Sequence, residues 1–275
     1  MAAANAVVNR GFDHMLEVID KGRSTDEHPL PLLFVHGAWH AAWCWDEHFL
    51  DFFAARGYRA VALSLRGHGG SSGRERLRWN RIGDYVDDVA EVAAQLPKKP
   101  ILVGHSMGGF VVQHYLERDG APGAILLAPI PPNGVLRVTS YIATHHPVEF
   151  AQVNARLRLA PLVANPKIAR ALLFSDAVPD AQVNSYQQRL QDEGYLGFLD
   201  MLVLDLVKTH RVHQIPTLVL GAEHDKIVAQ SQIQRTASTY GAEMTIFPGM
   251  GHDMMLEPGW RQVAERMDNW LSILG

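Results

Sequence analysis

The chain has 275 residues, 25 Lys and Arg against 29 Asp and Glu, and a single cysteine. That length accommodates one large α/β domain with an insertion, or two small domains. The formal charge of −4 leaves no basic footprint for nucleic acid or an anionic membrane, one thiol excludes an internal disulfide, and a cytoplasmic, reducing setting is the simpler expectation.

Residues 1–10 lack a basic region followed by a sustained apolar core, so they do not read as a leader. No apolar run approaches the roughly 18 residues needed to cross a bilayer. Short apolar β-type runs then alternate with helical patterns. Strands are predicted at 15–20, 32–35, 60–63, 101–103, 124–127, 217–220 and 243–247, and helices at 46–56, 82–95, 110–118, 228–240 and 260–273. Most of these strands are continuously apolar, as strands buried on both faces are. The alternation predicts an α/β fold with a mainly parallel sheet and helices on both faces.

The strand at 32–35 runs into His36-Gly37-Ala38-Trp39-His40, where Gly37 lets the backbone approach a neighbour closely. Cys44, between Trp43 and Trp45, reads as a buried, inert thiol. In the helix at 82–95 the apolar positions recur at helical spacing, and Asp84, Asp87, Asp88 and Glu91 read as its solvated face. At 101–103 an apolar strand ends on Gly104-His105-Ser106-Met107-Gly108. This Gly-x-Ser-x-Gly spacing, flanked by a strand and a helix, marks a strained turn that lifts a serine hydroxyl out of the sheet edge. The glycines remove side chains that would collide as the chain reverses.

Between Pro129 and Ile215 the alternation stops. Helices are predicted at 148–159, 165–174, 179–191 and 196–207, separated by Pro147, Pro161, Pro166, Pro179 and Gly194. This segment reads as a helical insertion over one end of the sheet, so that residues 1–132 and 214–275 form the core and 133–213 the insertion. Its aromatics, among them Tyr141, Phe150, Phe174, Tyr186 and Phe198, are expected mostly to pack the insertion against the body. His145 and His146 have no further ligands at convincing spacing, and no metal is assigned.

A serine hydroxyl needs a base within hydrogen-bond reach and an acid to orient that base. The strand at 217–220 leads into Glu223-His224-Asp225, and the strand at 243–247 leads into Gly251-His252-Asp253. In a parallel sheet both loops emerge at the edge that carries Ser106. His252 is the candidate base. Asp225 is preferred as the acid, with Glu223 as the alternative. Asp253 is a poor candidate, because a residue adjoining the histidine cannot easily turn its carboxylate onto that ring. Oxyanion donors are expected from the N–H groups of Met107 and Ala38. Gly37, Trp39, His105 and Met254 flank these loops and are candidate substrate contacts.

Over nearly its whole length the chain resembles an α/β-hydrolase, from the His36-Gly37 loop to His252, including Arg66-Gly67-His68-Gly69-Gly70-Ser71, a turn expected to be structural. More narrowly, the run from His36 to Trp45 is similar to the matching loop of the methylesterase and hydroxynitrile-lyase branch. The resemblance implies an eight-stranded sheet, a lid inserted after the sixth strand, and a Ser106–His252–Asp225 triad. Lyases of that branch carry a threonine where Gly37 stands and a lysine where Asp253 stands, so ester hydrolysis is expected over cyanohydrin cleavage. An aspartate nucleophile, as in epoxide hydrolases and haloalkane dehalogenases of this fold, is disfavoured by Ser106. The expectation is a cofactor-independent serine hydrolase acting on a small or medium carboxylic ester. Lactones, thioesters, lysophospholipids and C–C bonds beside a carbonyl remain alternatives, as does a non-catalytic ligand-binding role. The expected partner is a small-molecule, ester-like substrate; homo-oligomers are compatible with the sequence, and nucleic acid and membrane spans are not expected.

Overall fold

The computed structural model describes residues 4–10 and 14–274. Its eight strands are β1 (Ala4–Arg10), β2 (His14–Lys21), β3 (Leu32–Val35), β4 (Ala60–Leu63), β5 (Ile101–His105), β6 (Ala124–Leu127), β7 (Thr217–Ala222) and β8 (Glu243–Phe247). They form one sheet in the order β1-β2-β4-β3-β5-β6-β7-β8. The β1–β2 and β2–β4 pairs are antiparallel and all others are parallel. Every residue of β3, β4, β5 and β6 is buried, as continuous Leu, Ile, Val and Ala runs require.

Eleven α-helices accompany the sheet among the described residues: α1 (Trp43–Asp46), α2 (Phe49–Ala54), α3 (Ile82–Gln95), α4 (Met107–Arg118), α5 (Leu136–His145), α6 (Pro147–Arg156), α7 (Pro166–Leu173), α8 (Asp180–Gln187), α9 (Tyr195–Leu199), α10 (Gln230–Tyr240) and α11 (Trp260–Leu274). α3 and α4 pack together, and Tyr240 of α10 donates its hydroxyl to Gln113 of α4. α2 and α11 pack together, with Arg56 paired to Asp268. These two groups cover the two faces of the sheet.

The structure departs from the sequence pattern in instructive places. Of residues 1–10, residues 1–3 lie outside the described residues, and the rest form β1, which the pattern does not announce. Its sequence, Ala-Asn-Ala-Val-Val-Asn-Arg, has no clean alternation; seven residue pairs with β2 hold it instead. The helix expected at 46–56 is two helices, α1 and α2. Burial of Cys44 and Trp45 starts the first one early, and His48 at φ −145° interrupts the turn while its ring stacks on Trp260. Asp88, expected on a solvated face, is fully buried and takes the Arg66 guanidinium at 2.6 Å.

The segment between β6 and β7 is helical, as expected, but its elements differ. α5 lacks a sequence signal because Thr139, Ser140 and Thr144 dilute an apolar stripe reduced to Val138 and Ile142. The helix expected at 196–207 is α9 followed by a wide turn, Asp200–Leu204, with five-residue hydrogen bonding. Tertiary contacts select that turn. Asp200 accepts from the Arg81 guanidinium and from the Ile82 N–H at 3.0 Å.

Candidate active site

The strand register builds the site at the carboxyl edge of the sheet. Val35 lies opposite Gly104, His105 opposite Leu127, Leu127 opposite Leu220, and Ala222 opposite Phe247. The loops that follow these strands therefore converge on one place. Ser106 begins the turn at φ 52° and ψ −118°, outside the basins an L-residue prefers. The fold holds it there: its N–H donates to the Leu127 carbonyl, and its own carbonyl accepts from Phe110 and Ile130. A Cβ on Gly104 would lie 2.6 Å from the Gly108 carbonyl oxygen, and one on Gly108 would overlap the carbonyl oxygens of Val35 and His36. No larger residue fits without separating helix from sheet.

His252 Nε2 lies 2.8 Å from Ser106 Oγ, and His252 Nδ1 lies 2.7 Å from Asp225 Oδ2. The second Asp225 oxygen accepts from the N–H groups of Ile227 and Val228 at 2.7 and 2.8 Å, which fixes the carboxylate plane. Burial pulls the His252 pKa down, but the charge and hydrogen bond of Asp225, with help from Asp253, raise it above the ordinary histidine value. Glu223 is not part of this line. It is exposed, and its carboxylate accepts from Gly249 N–H at 2.9 Å, stapling the β7 and β8 loops together.

Ser106, Ala38 and Met107 line one cavity. Met107 is the first residue of α4, so its N–H has no acceptor within the helix. Among the described residues the Ala38 N–H has no hydrogen-bond acceptor either. Gly37 brings this loop close: a Cβ there would lie 2.7 Å from His105 Nδ1 and 3.0 Å from Ser106 Cβ. His36 holds the loop from behind. Its Nε2 accepts from Leu65 N–H, so Nδ1 carries the proton and donates to the Gly37 carbonyl at 2.8 Å. Burial, then repulsion from His68, keeps this imidazole neutral.

Of the four candidate substrate contacts, Trp39 lines the cavity, and Gly37, His105 and Met254 do not. Gly37 serves close approach. His105 and Met254 are buried behind the serine, His105 donating from Nε2 to the His252 carbonyl at 3.1 Å. The strand-residue alternation explains the misreading of His105: it precedes Ser106 at the end of β5 and points into the body. Sequence reasoning also missed the main cavity wall. Val135, Val138, Thr139 and Ile142 come from the end of the β6 loop and from α5, the helix without a sequence signal, joined by Phe150 and Val153 of α6. Phe198 also lines the cavity, whereas Phe174 and Tyr186 stack on each other and Tyr186 on Trp43, packing the insertion onto the body. Tyr141 stacks on His145 at the surface.

No charged side chain among the described residues lines the cavity. Among the described residues, the one cluster of three side chains of metal-ligand type is His105, His252 and Asp253. Both ring nitrogens of His252 are already engaged by Ser106 and Asp225, so the cluster does not fit a metal.

The sequence comparisons agree with this architecture. The profile of the Alpha/beta hydrolase family matches residues 32–266, and the chain belongs to that family. A non-heme haloperoxidase of Rhodococcus erythropolis is 29% identical over 82% of this chain and 86% of its own. Methyl jasmonate esterase 1 of Vitis vinifera is 36% identical over a shorter stretch, 31% of this chain and 33% of its own. An esterase structure from Exiguobacterium antarcticum superposes with a TM-score of 0.77 at 17% identity, covering 97% of this chain and 99% of its own. No helix among the described residues is long and apolar enough to cross a membrane.

Proposed function

We propose that the protein is a serine hydrolase that cleaves an uncharged, largely apolar carboxylic ester through an acyl-enzyme. The observation that carries this reading is the unbroken Ser106–His252–Asp225 line, with contacts of 2.8 and 2.7 Å, opening into an apolar cavity. Ser106 Oγ attacks the ester carbonyl while His252 Nε2 takes its proton. Asp225 fixes the imidazole tautomer and stabilises its charged form. The Ala38 and Met107 N–H groups receive the oxyanion. His252 then protonates the leaving alcohol, and in the second half draws a proton from water, which releases the acid and restores Ser106.

The cavity wall supports the substrate class. A charged acyl group would lose its hydration there with no partner to replace it, whereas each apolar Å² buried contributes about 25 cal/mol. In this reading residues 133–213 act as a lid over the core formed by 1–132 and 214–275, and no cofactor takes part. The esterase named among the relatives supports the choice of ester over lactone, thioester or C–C bond. Asp253 bears on lyase chemistry differently than the sequence suggests, because its carboxylate faces His40, away from the cavity.

Ser106→Ala tests the reading. Hydrolysis of a p-nitrophenyl butyrate should fall to background with the circular dichroism spectrum unchanged, and undiminished turnover would overturn the mechanism. A series of acyl chain lengths, run beside lactones and a negatively charged succinyl ester, tests the substrate class; preference for the charged ester would overturn it.

A further inference from the structure

Behind the Ser106–His252–Asp225 line lies a second set of buried titratable side chains that acyl transfer does not use: His40, His105 and Asp253. None lines the cavity, so none reaches substrate. His40 Nδ1 lies 2.8 Å from the Ala38 carbonyl oxygen, and His40 Nε2 lies 3.1 Å from Asp253 Oδ2. We propose that His40 and Asp253 form a buried clamp, the imidazole donating from both ring nitrogens, that fixes the oxyanion loop against the loop carrying His252. The proposal rests on the roles given above to Ala38 and His252, and it makes His40 and Asp253 positioning residues.

The hydrogen-bond inventory carries the argument. A carbonyl oxygen has no proton to give, and an ionised carboxylate only accepts. An imidazole with one N–H could satisfy one of these contacts and would set a lone pair against oxygen at the other. Neither side chain has water to turn to, since both are at most 1% exposed. Asp253 is the fixed partner: burial pushes its carboxyl up, but the charge and hydrogen bond of His40 bring it below the usual carboxylate range. The other groups around the pair do not supply a competing charge. His105 stands edge-on to His40 and is held neutral by burial and by His252, Trp43 offers a ring, and burial pushes the Cys44 thiol up.

The clamp also spans the right distance in the chain. Asp253 directly follows the candidate base, and His40, 213 positions from Asp253 in sequence, binds the carbonyl of Ala38, the proposed oxyanion donor. Trp39, between Ala38 and His40, sits at φ 67°, a conformation that a bulky side chain adopts only under tertiary restraint. The bond on the Ala38 carbonyl contributes to that restraint, beside the Gln191 N–H on the Trp39 carbonyl and the His40 N–H on the Gly37 carbonyl.

Ring-proton NMR on the wild-type enzyme at pH 7 tests the clamp without turnover. Two N–H protons on the His40 ring are expected, and a lone pair on either nitrogen overturns the proposal. Kinetics test its consequence. Asp253→Ala should lower kcat about 10- to 100-fold through misplaced donors, with KM within about 2-fold. The acid limb of its pH profile should move to lower pH, because Asp253 helps hold the proton on His252. Asp253→Asn, whose amide can donate to a neutral His40, should recover part of the loss. A folded Asp253→Ala enzyme with wild-type kcat, or with its loss confined to KM, overturns the positioning role. Should the wild-type enzyme cleave no ester, the ester-hydrolase reading fails, and the ring-proton spectrum still decides the clamp.

Discussion

Asp225 and Glu223 stand two positions apart on the same loop, yet they meet different surroundings. Asp225 spends one oxygen on two backbone N–H groups and the other on His252, while Glu223 faces solvent and Gly249. Asp225→Asn should therefore lower kcat by about 10⁴-fold, because an amide favours the wrong imidazole tautomer, while Glu223→Gln should stay within about 2-fold. Steady-state rates on one p-nitrophenyl ester separate the two. The pH profile provides a second measure. In the proposed mechanism His252 works as a neutral base, and its pKa is raised, so kcat/KM should climb with an inflection above the ordinary 6.5. In Asp225→Asn the inflection should fall, since the charge that opposes burial is gone; an unmoved inflection would assign the titration to another group. At this scale the sequence was largely legible, because the elbow spacing and chain order announce Ser106, Asp225 and His252. The buried partnership of His40 with Asp253 was not, since it depends on two loops meeting in space.

Elements differ in how they are held. The central strands β3 to β7 were legible because continuous apolar runs have one good solution, a strand covered on both faces, whereas β1 has no such run and was not. The insertion was legible as helical but not in detail, because tertiary bonds override weak local preference there. Asp200 is the plainest case. Its side chain is 1% exposed and binds Arg81 and the Ile82 N–H, tying the turn after α9 to the start of α3. Glu193 makes a second tie, accepting from Tyr85 at 2.7 Å and lying 3.1 Å from His68. Removing Asp200 lets the half-exposed Arg81 guanidinium return to water but leaves the buried Ile82 N–H without its acceptor, at a cost of about 1–3 kcal/mol. Asp200→Ala should lower the thermal midpoint by several degrees, and, because Met201 lines the cavity, it should raise KM more than it lowers kcat. A midpoint equal to that of the wild type would show that the tie is not structural.

For the molecule as a whole, buried histidines set the response to acid. His36, His48, His105 and His114 lie below the ordinary value with burial as the first cause, His105 at about 3. Each contributes stability that is present above pH 6.5 and is lost as pH falls toward its folded value, since the unfolded chain takes protons the folded one declines. His68 and His252 act in the opposite sense; burial lowers both, but Glu193 and Asp225 overcome it, so their contribution is full below pH 6.5 and fades as pH rises through their folded values. The depressed group is the larger, so unfolding at pH 6 should take up protons and the thermal midpoint should drop between pH 7 and pH 5. Calorimetry in buffers of different ionisation enthalpy measures both; a midpoint that rises on acidification would refute the balance.

The tight places around Ser106 are made by residues without side chains. At Gly104 and Gly108 a single methyl would already collide with backbone, and at Gly37 with the His105 ring. A survey that trims side chains to alanine would pass over all three as conservative changes, although there alanine is an enlargement. For anyone altering this enzyme, these three positions mark where the scaffold has no tolerance left. If the proposed reading holds, the apolar wall from α5 and α6 is where new substrate shapes would be accommodated.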